Sequence, residues 1–296
     1  MNNKRGGGIV TLVIVLAIIC VVFLAAGFSL MAAWNGGWNF WKEIPENMRN
    51  IEEFSINQVQ EHEIAGVSKF EFGAVSADMN IVYADTDSVK VELKGSYRSS
   101  RGNVELKMEK IGNTVRIYVE YPKLSGVFNW NETKLTITMP MDMGDRDLRF
   151  TTVSGDIDIP SGIKAGEINA HSTSGDVQVS DADCENFDYC NVSGRLDLTG
   201  SITGDIRIES VSGDVEINSY VELDKVYVTS VSGDIDIYVD KDLDFRFTFN
   251  TVSGDFNCSF PIYESGGRND RKGYTDESAD MDFDINTVSG DLRIIN

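Results

Sequence analysis

The chain has 296 residues, of which 26 are Lys or Arg and 47 are Asp or Glu, for a formal net charge of -21. Hydrophobic residues make up 42%, enough for a sizeable core in one large domain or two small ones. So acidic a surface repels nucleic acid and anionic lipid, which excludes both as partners, and it keeps the protein soluble.

Ile9 to Ala33 is almost wholly apolar and carries no charge. It is longer than the roughly 20 residues a helix needs to cross a bilayer. Lys4 and Arg5 precede it, and Trp34, Trp38 and Trp41 follow, where amphipathic rings favour the membrane interface. The positive-inside tendency places residues 1–8 in the cytoplasm, makes residues 9–33 a signal anchor and exports the rest to the cell envelope. A signal peptide cleaved after Ala25-Ala26-Gly27 is the competing reading. Lipidation of Cys20 is disfavoured by bulky Ile19 before it. Residues 34–65 read as a juxtamembrane linker, with a short helix expected from Pro45 to Phe54.

Residues 66–296 read as an all-β domain. Ser88–Leu93, Asn103–Met108, Thr114–Tyr121 and Lys134–Met139 alternate apolar and polar residues, and Gly112-Asn113 marks a hairpin turn. These strands are expected to form an antiparallel cap on the N-terminal end of a repeat array. The repeat is a short string, Val-Ser-Gly-Asp plus an apolar residue, that recurs with small variations. Its copies start at Val153, Thr173, Val192, Val211, Val231, Val252 and Val288, in steps of 20, 19, 19, 20, 21 and 36. A diverged copy starts at Val75. The long last step contains an insertion, Pro261 to Met281, expected to be a surface loop.

Apolar or small residues stand five and three positions before each start, and others four and six after it, as at Ile157 and Ile159. Both flanks alternate with period 2, and the phase slips between them at Thr152, Ser172, Asn191, Ser210, Ser230, Thr251 and Thr287. Each unit therefore reads as strand, corner, strand and return. The corners are Ser154-Gly155-Asp156, Ser212-Gly213-Asp214, Ser232-Gly233-Asp234, Ser253-Gly254-Asp255 and Ser289-Gly290-Asp291. Glycine is expected there for positive φ, and Ser and Asp for bonds to amides of their own corner. Such a short unit cannot bury its own apolar face, so neighbours must stack. The expected architecture is a β-solenoid-like stack of about 20-residue repeats. Antiparallel hairpins packed as a sandwich are the alternative.

Stacking creates a column of carboxylates: Asp156, Asp176, Asp214, Asp234 and Asp255, with Asp78 and Asp291. The structural explanation is turn chemistry. The functional one is a Ca²⁺ site, which wants six to eight oxygens. Arg195 interrupts the column, and a metal ladder would not need it, so the structural explanation is preferred. No catalytic residues and no cofactor are expected. His62 and His171 lack any nucleophile context, and acids occur in every repeat, with none singled out. Cys184, Cys190 and Cys258 form no disulfide framework, although a Cys184–Cys190 bridge is conceivable, and Cys258 reads as a small core residue. Phe245, Phe247 and Phe249 read as core. Loop aromatics at Val127-Phe128-Asn129-Trp130, Tyr263 and Tyr274 are weak candidates for partner contact.

The repeated corners at Thr152–Ile157, Ser230–Ile235 and Thr251–Phe256 resemble the bacterial putative-adhesin family of β-strand-repeat proteins, a family without an assigned function. The resemblance covers about residues 66–296. It implies a bacterial cell-envelope protein with a solenoid-like domain, and it carries over no catalytic residue. The expected function is a non-enzymatic interaction module that binds an envelope glycan or a protein partner. The alternatives are an accessory in envelope-stress sensing through a membrane partner, and an enzyme acting on envelope polysaccharide. Self-association through open ends of the stack is a further expectation.

Overall fold

The computed structural model describes residues 52–99, 103–121, 129–219 and 223–296. The expected membrane span, most of the expected linker, and Val127 and Phe128 lie outside the described residues. The strands are, in order, β1 (Glu52–Glu63), β2 (Lys69–Gly73), β3 (Asp78–Tyr83), β4 (Ser88–Ser99), β5 (Glu105–Ile111), β6 (Thr114–Glu120) and β7 (Asn129–Met139). Next come β8 (Asp147–Thr151), β9 (Ile157–Ile159), β10 (Lys164–Ser172), β11 (Val177–Ser193), β12 (Leu196–Ile202), β13 (Asp205–Ser212), β14 (Val215–Ser219), β15 (Lys225–Ser232) and β16 (Ile235–Val239). The last are β17 (Phe245–Asn250), β18 (Phe256–Cys258), β19 (Tyr263–Gly267), β20 (Asp270–Tyr274), β21 (Met281–Ser289) and β22 (Leu292–Ile295).

Each repeat is one coil. The strand before its corner joins one wall, and the strand after it joins the other. The first wall runs β5-β6-β2-β8-β10-β11-β13-β15-β21-β17-β20-β19. The second runs β1-β4-β7-β3-β9-β11-β12-β14-β16-β22-β18. Strand β11 serves both walls, bending at Asp181, whose φ is 48°. A short return side pairs Ala182–Cys184 with Lys164–Ala165 and Gly200–Ile202. Repeats pair in parallel, as stacked coils do and a sandwich of antiparallel hairpins does not.

Parallel register with a constant repeat puts equivalent side chains on top of one another. Phe70, Leu148, Ile168, Phe187, Ile206, Val226, Phe283 and Phe247 form one file across the first wall. Phe72, Phe150, Ala170, Tyr189, Ile208, Val228, Ile285 and Phe249 form the next, where small Ala170 lies between two large rings. Phe72 and Phe150 stack with centroids 5.2 Å apart. Both files are buried throughout, and together they supply the hydrophobic drive that a single coil lacks.

Several expectations are corrected. Coils do not keep to chain order at either end. Strands β6 and β7 form the outermost coil at one end, pairing in parallel with β2 and β3, so only β1, β4 and β5 are an antiparallel cap. At the other end β21 and β22 sit between β15/β16 and β17/β18. Residues 52–63 are strand β1 and not linker, which also rules out a helix reaching Phe54. The insertion is no plain loop: β19 and β20 form a hairpin that pairs antiparallel with β17. Asn129 and Trp130 begin β7. Cys184 and Cys190 are free, lie on one extended strand about 20 Å apart, and cannot bridge.

Candidate functional site

Among the described residues, three features carry polar or exposed chemistry: the corner column, the outer surface of the first wall, and the hairpin at the far end.

At the corners, inward alternation continues through Thr152, Ser172, Asn191, Ser210, Ser230, Thr251 and Thr287, all buried. The phase therefore slips one residue later than expected, at Val153-Ser154 and its equivalents. At three of these corners hydrogen bonding accounts for it. Thr152, Ser172 and Thr251 turn their hydroxyls inward to accept the amide N–H of Gly155, Gly175 and Gly254 at 3.0, 2.7 and 2.8 Å. Positive φ explains glycine only at Gly194 and Gly233. Close approach explains the whole column. A Cβ at Gly155, Gly175, Gly194, Gly213, Gly233, Gly290 or Gly254 would lie between 1.9 and 2.4 Å from the carbonyl oxygen of the equivalent residue one coil away.

The aspartates bond between coils and not within their own corner. Asp78 Oδ1 accepts the amide of Asp156 at 3.1 Å, Asp156 that of Asp176 at 2.9 Å, and Asp176 that of Arg195 at 2.8 Å. Asp214 accepts from Asp234 at 3.0 Å, Asp234 from Asp291 at 3.2 Å, and Asp291 from Asp255 at 2.8 Å. The carbonyls of Asp176 and Asp234 accept in return from Ile157 and Val215. These bonds offset repulsion between neighbouring carboxylates. Arg195 breaks the ladder, because it offers no carboxylate to the amide of Asp214, and its guanidinium pairs with Glu216. Beside the column, Asp236 holds Arg293 at 2.8 Å. Among the described residues, no group of three or more His, Cys, Asp or Glu side chains could hold a metal ion.

On the outer surface of the first wall, strands β8, β10, β11 and β13 bring together Arg149, Glu167, Asn169, Asp188 and Arg207. Asn169 donates to Glu167 at 3.0 Å. Burial, then a hydrogen bond with Glu167 and that residue's charge, push the Asp188 carboxyl up to about 6. His171 is half-buried between the register positions of Thr151 and Cys190. Burial, with the charges of Arg149 and Lys69, holds it down at about 4, so it is neutral at pH 7. Burial also pushes the Cys190 thiol up to about 11. A neutral imidazole beside an unionised thiol is not an activated nucleophile.

The hairpin β19–β20 closes the far end of the stack. Its tip takes the place of a next coil. Asn269 donates to the carbonyls of Thr251 and Val252 at 3.1 and 2.6 Å, and Arg268 pairs with Asp255 at 3.2 Å. Its base carries Tyr263, 70% exposed, and Tyr274, with ring centroids 5.5 Å apart. With Thr275, Asp276, Glu277 and Ser278 these rings line an open cleft of about 600 Å³. The Ser278 hydroxyl and amide bond Asp276 at 2.5 and 2.7 Å and hold its carboxyl below the usual range. Sequence reasoning named the two tyrosines but not the acids beside them, which only the fold of the 275–278 turn brings into place.

A protein-family model described as Toastrack DUF4097 matches residues 67–223 and again residues 193–295. The chain belongs to the Toastrack DUF4097 family. The two matches together span both walls of this toastrack from β2 to β22. Among solved structures, a protein of Clostridium sporogenes described as a putative cell adhesion protein is 15% identical, with a TM-score of 0.38, over 83% of this chain and 99% of that one. A putative adhesin from Bacteroides fragilis is 13% identical, with a TM-score of 0.48, over 81% and 97%. A putative lipid binding protein from Parabacteroides distasonis is 15% identical, with a TM-score of 0.41, over the same shares. No curated protein matches the sequence.

Proposed function

We propose that this toastrack chain is a non-enzymatic interaction module of the cell envelope. Residues 9–33 anchor it in the membrane, residues 1–8 face the cytoplasm, and the β-solenoid-like stack projects outside and binds envelope glycan or a protein partner. One observation carries the reading: strand β1 and the exposed tyrosine hairpin lie at opposite ends of the stack. Strand β1 edges the second wall at one end, and β19 edges the first wall at the other. Coils spaced about 4.8 Å apart put these ends on the order of 40 Å from each other. A rod held at one end and decorated at the other suits contact at a distance. The buried hydrogen bonds of the corners serve stability, and the neutral His171 and un-ionised Cys190 offer no activated nucleophile.

The test has two parts. Protease added to intact cells should digest the β domain while sparing cytoplasmic proteins. Cells lacking the protein should lose attachment to surfaces or neighbours, with stress-gene expression unchanged. Altered stress-gene expression with normal attachment would favour the sensing role. Release of sugar from envelope polysaccharide by the purified chain would favour an enzyme.

A further inference from the structure

The cleft at the far end is made of residues that the repeat itself does not need. It lies in the 261–281 insertion, outside the corner motif, yet its walls are fixed. Thr275 donates to Asp244 at 2.9 Å, accepts the amide of Phe245 at 2.9 Å, and gives its own amide to the Phe245 carbonyl at 3.0 Å. The 275–278 turn is therefore pinned to the start of β17. Ser278 orients the Asp276 carboxylate from inside the turn. Glu277 is exposed and makes no ion pair among the described residues. The exposed ring of Tyr263 lines the same cleft as these carboxylates. Two cations share the sheet face of the tyrosines: Arg246, the register partner of Tyr274 on the side away from Tyr263, and exposed Lys272, two residues before Tyr274 on β20.

An aromatic face attracts a cation through its quadrupole, and two carboxylates beside it add a full-charge attraction. The acidic balance of the whole chain, 47 acids against 26 bases, draws positive partners toward any such cleft. The same field disfavours an anionic glycan. We propose that the cleft formed by Tyr263, Tyr274, Asp276 and Glu277 binds lysine side chains of a basic protein segment. This rests on the interaction-module reading above and names its contact point and the chemistry of its partner.

The experiment titrates the full-length chain, in mild detergent, with a labelled peptide of alternating lysine and glycine at physiological ionic strength. Tyr263→Ser leaves net charge untouched and should weaken binding about fivefold or more, while Tyr263→Phe, which keeps the ring, should bind like the wild type. Glu277→Gln should weaken it similarly, and Glu209→Gln, on the wall surface away from the cleft, should not. Free butylamine should compete and neutral sugars should not. Equal affinity for Tyr263→Ser and wild type would overturn the proposal, since the peptide would then be sensing net charge alone. Competition by neutral sugar would overturn it as well. A wild-type chain that ignores the peptide yet still supports cell attachment refutes the cleft and leaves the module reading standing. Tyr263-dependent peptide binding by a protein whose loss leaves attachment intact refutes the module reading alone.

Discussion

Gly175→Ala isolates the reason for glycine at the corners. Gly175 has no positive φ, so a turn-chemistry argument expects alanine to be harmless there. The stacking argument expects otherwise, because the new Cβ would lie 1.9 Å from the Gly155 carbonyl oxygen and 2.6 Å from its carbon. Both are backbone atoms, so no rotamer change relieves the clash, and the two coils must part by more than 1 Å to restore an ordinary contact of about 3.2 Å. Overpacking of this kind costs about 1–3 kcal/mol. Parting the coils also stretches three bonds: Asp176 to Asp156, Ile157 to Asp176, and Ser174 to Val153. At about 1 kcal/mol each if lost, the sum is about 4–6 kcal/mol. For a domain of this size that lowers the melting temperature by roughly 8–24 °C. Calorimetry of the full-length chain checks it, with Val153→Ala as the control, since that side chain is half-exposed and its loss should shift melting little. A Gly175→Ala protein that melts with the wild type would refute close stacking as the cause of the glycine column.

Removing one rung of the acid ladder tests the aspartates separately. Asp176→Ala deprives the Arg195 amide of its acceptor and should cost about 1–2 kcal/mol, whereas Asp176→Asn keeps a carbonyl oxygen and should cost less. Melting of the wild type should not change between calcium and chelator, and a large rise in calcium would turn the column into a metal site. His171 gives a pH signature. Its folded value, about 4, lies below its ordinary 6.5, so the unfolded chain binds the proton more readily. The stability it contributes is complete above pH 6.5 and is lost as pH falls from there through 4. His171→Gln should flatten that part of the stability curve, and an unchanged curve would show that other groups set it.

The fold was legible where identical repeats stack. The residues five and three positions before each motif start, read as equivalents from spacing alone, are the register partners observed across the first wall, from Phe70 and Phe72 to Phe247 and Phe249. A parallel stack leaves no freedom in which residue sits on which. The illegible features depend on contacts between coils. The glycine requirement is a distance to another coil's carbonyl, and the aspartate bonds are made to another coil's amide, so both look like local turn chemistry in one copy. The inward turn of Thr152 is not readable from alternation, because the bond to the Gly155 amide that lets its hydroxyl be buried exists only in the folded corner. The tyrosine cleft was half visible. Tyr263 and Tyr274 were conspicuous in a polar insertion, but their pairing needs the hairpin register, and the carboxylates need the turn pinned by Thr275.

Coil order at the ends was beyond the sequence because the corners are interchangeable. The ladder accepts Asp291 after Asp234 as readily as it would accept Asp255, so spacing cannot tell which coil comes next. The observed order has a physical rationale in the edges. A stack of parallel coils ends in unpaired strand edges, which invite association. At one end Gln58 and Gln60 answer this by bonding the backbone of Val104 and Leu106, joining the outer strands β1 and β5. At the other, the chain first builds the end coil β17/β18, folds the hairpin over it, and then returns to fill the slot behind with β21/β22. The returning coil is hydrogen-bonded on both sides, whereas in the earlier one β17 is covered by β20 and β18 pairs with β22 alone. Amide hydrogen exchange should therefore run against chain order: Phe283, Ile285 and Leu292 should be protected to the level of the central coils, and Phe256 and Cys258 should exchange faster. If residues 281–295 instead exchange as a frayed terminal segment does, the inserted order is wrong, and the end of the stack must be β21/β22 with its edge open to a second molecule.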